Sequence, residues 1–182
     1  MPTIVHEFAW PDRVVVGTVG RPGSRTFYLQ VRAGPRIVSV ALEKQQSALL
    51  ATRIDEILDQ LMVTDGNPFS IPAATAVELI DNDPLDPVEE DFRTGVLALG
   101  WDPSTVQIVV EAYRIIDGDG AAVDDAEAAE PEEMLVVRMP VGTARAFAGR
   151  IRQVVGAGRP LCPLCGEPMD DDGHVCALPD AP

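Results

Sequence analysis

Cysteine and histidine are scarce in this chain: three and two, respectively, among 182 residues. Basic residues are scarce as well, 14 Lys and Arg against 29 Asp and Glu, for a formal net charge of −15. A phosphate backbone needs a positive track, so general nucleic-acid binding is disfavoured. The longest apolar runs fall far short of a membrane span and residues 1–7 lack a signal-peptide pattern, so no membrane role and a cytoplasmic location are the expectation. No Ser-His-Asp order, P-loop or HExxH helix is present, so no catalytic signature names a reaction. Whether the protein is an enzyme stays open, leaning to no.

What cysteine there is lies together. Cys162-Pro163-Leu164-Cys165-Gly166 is followed, near the end of the chain, by His174-Val175-Cys176. Two cysteines separated by two residues, the second followed by Gly, suit a knuckle turn in which both sulfurs face one point. Glu167-Pro168 and Asp170-Asp171-Asp172-Gly173 are turn chemistry, so the second arm can fold back. Cys162, Cys165, His174 and Cys176 make a soft, closed tetrahedral set that suits one structural Zn²⁺, with sulfur at about 2.3 Å. Iron fits the same ligands. A disulfide leaves one cysteine over, and a redox Cys-x-x-Cys normally opens a helix, whereas this one follows a Gly-Arg-Pro break.

Hydrophobic content of 46% is that of a folded protein, enough for one good core or two small ones sharing a sheet. Residues 14–19, 25–32 and 36–42 read as strands, the middle one alternating cleanly, with Phe27, Leu29 and Val31 on one side. From 44 to 62 the period becomes helical, with Leu50, Ile54, Ile57, Leu58 and Leu61 on one face. Pro- and Asp-rich residues 63–90 read as a connector. Strands follow at 92–101, 105–116 and 134–139, then a helix at 143–155 with Phe147, Ala148 and Ile151 inward. Setting Val40 against Val137 aligns Leu50 with Phe147, Ala51 with Ala148 and Ile54 with Ile151 without a gap. The fold expected is therefore α+β, a pseudo-twofold body of duplicated βββα units with helices on one sheet face. The divisions are 1–62, 63–90, 91–157 and a knuckle tail at 158–182. The acidic runs 81–91 and 117–133 read as solvated loops, the second a long disordered hairpin connection.

Outside the knuckle, candidate residues are few. Gly17, Gly20 and Gly23 with Arg21 and Arg25 could cradle a small anion such as phosphate, although a Gly-Pro-rich β-turn is the better reading of them. Glu43 and Lys44 stand where strand meets helix, a place for functional side chains and also for a simple helix start. His6-Glu7 beside Asp12-Arg13 offers an acid/base cluster, with a strand-edge histidine as the plain alternative. Trp10 and Trp101 serve as core or as interface anchors.

Gly17-Thr18-Val19-Gly20, Arg25-Thr26-Phe27-Tyr28-Leu29-Gln30, Leu42-Glu43-Lys44-Gln45 and the terminal Cys-Pro-Leu-Cys-Gly with Gly173-His174-Val175-Cys176 together resemble one family. It is the actinobacterial domain-of-unknown-function family 3090, and the resemblance spans nearly the whole chain. The resemblance implies no activity, since the family has none assigned. It does imply genome neighbourhood with a histidine-phosphatase (phosphoglycerate-mutase-like) protein, and hence a partner of that kind. Family members often continue beyond the last cysteine with a basic tail, whereas this chain ends Ala177-Leu178-Pro179-Asp180-Ala181-Pro182. The functional expectation is a zinc-binding adaptor that docks a protein partner, or else a small-anion binder or enzyme using the Gly17–Arg25 loop with Glu43, Lys44 and His6.

Overall fold

β-branched runs broken by Gly and Pro turns make strands, and the two 3.6-periodic stretches make helices. In the computed structural model, which describes residues 2–116, 131–158, 162–165, 169 and 176, the order is β1 Ile4–Phe8, β2 Arg13–Val19, β3 Thr26–Ala33, β4 Arg36–Leu42, α1 Lys44–Met62, β5 Glu90–Asp102, β6 Gln107–Arg114, β7 Glu133–Pro140 and α2 Val141–Gly156. A single 3₁₀ turn, Val77–Leu79, interrupts the connector. The α+β expectation holds.

All seven strands join one sheet in the order β1-β7-β6-β5-β4-β3-β2. Neighbours are antiparallel except β4 with β5 and β1 with β7, which are parallel. This order sets the last strand of the first run, β4, beside the first strand of the second, β5. The order by itself does not show the pseudo-twofold duplication expected from sequence.

β1 and β2 occupy opposite edges of the sheet, yet only residues 9–12 connect them. Five peptide steps from Phe8 to Arg13 reach at most about 19 Å. Six strand spacings in a flat sheet cover about 29 Å. The sheet must therefore curl, as twisted sheets of this size tend to. Consistently, α2 lies against β2 as well as β6 and β7, while α1 lies against β5 and α2. One core cluster draws on every strand and both helices, with Val16, Val31, Val40, Ile54, Leu135 and Ile151 essentially inaccessible to solvent.

β1 has no local signal. Ile4 and Val5 are exposed and only Phe8 is buried, so no alternation marks it, and its pairing with β7 joins His6 to Leu135 across most of the chain. The run 81–91 also differs from expectation. Most of its residues are exposed, as in a loop, but it is also held as a strap across β2 and β3. Arg13 binds the Asp81 carboxylate through Nε and Nη2 and reaches the Asp83 and Pro84 carbonyls. Arg32 holds Asp86, and the Gln30 amide both donates to the Asp86 carbonyl and accepts from its N–H, a side-chain copy of a sheet rung. Asp91 accepts from the Ser39 N–H at 2.8 Å. Acidic residues count as solvated in a linear reading because their arginine partners are some 50 to 70 positions away. The expected loop at 117–133 falls mainly outside the described residues; Glu133 itself opens β7.

Candidate functional site

After α2 the chain reaches its cysteines. The sulfur atoms of Cys162, Cys165 and Cys176 all lie within 4.8 Å of one another. Ligands on a tetrahedral metal at about 2.3 Å sit roughly 3.8 Å apart, so a small adjustment closes the set around one ion. Cys162 is buried, and Pro163, Leu164 and Cys165 form the turn that carries the second sulfur back to the first. His174 lies outside the described residues. Three convergent thiols are soft donors, and the residues present fit a metal ion.

A second feature stands at the root of this tail. A cleft of about 680 Å³ opens between the start of β3, the end of β4, the first turn of α1 and the end of α2. Arg25, Glu43, Lys44 and Arg93 line it together with apolar Phe27, Leu42 and Val155. Arg25 donates to the Val154 and Ala157 carbonyls at 3.3 and 3.1 Å, satisfying the C-terminal end of α2, and its guanidinium stands 5.2 Å from the Phe27 ring. Glu43 is the N-cap of α1. Its N–H donates to Gln46 Oε1 at 2.8 Å, and its carboxylate accepts from Arg93 at 3.0 Å. The Lys44 ammonium has no carboxylate partner among the described residues. It reaches Gly158, where a Cβ would sit 3.5 Å from Nζ.

The structure thus brings Arg25, Glu43 and Lys44 into one cleft with Arg93, a residue that sequence reasoning missed. Arg93 enters through the parallel register that sets it opposite Ala41, a pairing with no local signature. Arg21 is exposed on the turn and does not line the cleft, and Gly17 is a strand residue under Leu85. His6 is elsewhere, so the grouping of His6 with Glu43 and Lys44 does not form. Its Nε2 lies 2.8 Å from Glu133, which also holds Arg114, and its Nδ1 lies 3.4 Å from Arg36. Arg36 can only donate, so Nδ1 accepts and the proton sits on Nε2 toward Glu133. Trp10 is exposed, and Trp101 packs edge-on against Phe69 at 5.1 Å. Among the described residues no helix is long and apolar enough to cross a membrane.

No curated protein and no solved structure matches the chain. Over residues 6–176 it matches the model of a protein family of unknown function, DUF3090, and it belongs to that family.

Proposed function

We propose that the protein is a zinc-dependent adaptor of the cytoplasm, where thiols stay reduced, and that its C-terminal knuckle docks a protein partner. The single observation that carries the reading is the convergence of the Cys162, Cys165 and Cys176 sulfurs within 4.8 Å. His174, two positions before Cys176, is the fourth ligand in this proposal. When bound, zinc in such a set supplies structure and no chemistry, since four protein ligands leave no position for water. A segment this short cannot bury a core of its own, and metal binding of about 10–16 kcal/mol in comparable peptides supplies the missing folding energy. Leu164, at the turn between the first two cysteines, is 71% exposed. It gives the knuckle an apolar tip of the kind that protein contacts cover. A histidine-phosphatase-like protein is the first partner to try.

The test compares the zinc-loaded full chain with a chain truncated after Gly158, each immobilised against the purified histidine-phosphatase-like protein and against lysate. A partner retained by the full chain, lost on truncation and released by a chelator is expected. A partner held equally by the truncated chain, or a full chain that takes up no zinc, overturns the reading.

A further inference from the structure

The cleft at the start of α1 is chemically distinct from the cysteine cluster. Three cationic side chains, Arg25, Lys44 and Arg93, line it with one carboxylate, Glu43. This local excess of positive charge occurs in a chain of formal charge −15, so composition alone does not account for it.

The three cations are not equally engaged. Arg25 is committed to the α2 carbonyls. Arg93 holds Glu43 through Nη1 alone, and the rest of its donor fork has no acceptor among the described residues. Lys44 is exposed and has no ion pair there. Two under-used cations therefore share a cleft whose floor, Phe27, Leu42 and Val155, is apolar. A volume of about 680 Å³ lies within the range of small-molecule sites. The cleft opens beyond the end of β4, where the sheet holds its β4–β5 parallel pair and the chain passes to a helix within one residue.

We propose that this cleft binds a small phosphorylated molecule, with its phosphate between Lys44 and Arg93 and its apolar part against Phe27, Leu42 and Val155. A guanidinium with free N–H groups and an ammonium match a dianionic phosphate through charge-assisted hydrogen bonds. The overall negative charge selects for size. An extended polyanion is repelled by the whole molecule, whereas a small anion samples the local field of the cleft.

The experiment is calorimetric titration of the zinc-loaded full chain with inorganic phosphate and with phenyl phosphate, at ionic strength held constant with sodium chloride. Phenyl phosphate is expected to bind, and to bind more tightly than inorganic phosphate because of the apolar floor. Lys44→Gln, which breaks no ion pair and is safe for folding, weakens it about tenfold, the loss of one charge-assisted contact. Arg93→Gln weakens it further. Arg21→Gln, on the neighbouring turn, leaves binding unchanged. Failure of both ligands to bind at matched ionic strength overturns the proposal. So does equal affinity of the Lys44→Gln and Arg21→Gln proteins, or tighter binding of a single-stranded oligonucleotide than of phenyl phosphate.

Discussion

Arg13 grips both carboxylate oxygens of Asp81, Nε to Oδ2 at 2.6 Å and Nη2 to Oδ1 at 3.1 Å, and so ties β2 to the connector. The bond from Arg13 holds the Asp81 carboxyl below the usual aspartate range, against the opposing effect of burial. A carboxyl whose folded pKa is depressed contributes stability above its unfolded value of about 3.9 and loses it as pH falls through the folded one. Asp81→Asn is therefore expected to lower the melting temperature at pH 7 and to have a shrinking effect below about pH 4, where wild type loses the same contribution. Arg13→Ala is expected to cost about 1–3 kcal/mol in denaturant titration, since it removes the bidentate pair with Asp81 together with the bonds to the Asp83 and Pro84 carbonyls.

Gly17 of β2 lies directly under Leu85 of the strap. A Cβ there would stand 2.6 Å from Leu85 Cγ and 2.8 Å from Cδ2. Gly17→Ala is expected to destabilise by about 1–3 kcal/mol through overpacking. Leu85→Ala made in the same chain restores part of that loss, and a double-mutant cycle reads the coupling. Purely additive effects would show that the strap does not bear on β2.

Arg145 is 6% exposed on α2 and joins the helix pair, holding Asp55 at 2.7 Å, Asp59 at 2.8 Å and the Pro72 carbonyl. Asp55 keeps Arg152 as a second partner and Asp59 is largely exposed, so neither carboxylate is left buried alone when Arg145 is removed. The cost of Arg145→Ala then comes from the void and the stranded carbonyl, about 2–4 kcal/mol by thermal melting. Asp59→Asn is expected to cost under 1 kcal/mol, as for exposed pairs.

The cysteines make a separable prediction. Cobalt titration of the full chain is expected to reach one ion per chain with a thiolate charge-transfer band, and Cys162→Ser or Cys176→Ser removes most of that band. Binding weakens as pH falls because protons compete for the thiolates. In the same variants proteolysis opens residues 161–177 while the melting of the sheet and helices is unchanged. A single transition shifted far below wild type would mean that the tail packs into the body.

Much of the molecule was written locally. Period-two alternation placed β3, helical periodicity placed α1 and α2 with Leu50, Ile54, Phe147 and Ile151 inward, and Cys-x-x-Cys spacing located the cysteine cluster. Each of these depends on neighbours a few positions apart, which is the range over which side-chain direction and turn chemistry act. What depended on distant pairing was decided by the tertiary structure alone. β1 exists because β7 lies beside it, not because Ile4 and Val5 are buried. The acidic run at 81–91 became a strap because folding brings Arg13, Arg32 and Arg150 to it. Arg93 joined Lys44 in one cleft through the parallel register of β4 and β5, while the pairing of β1 with β7 took His6 elsewhere, so strand register and not spacing along the chain selects which side chains meet.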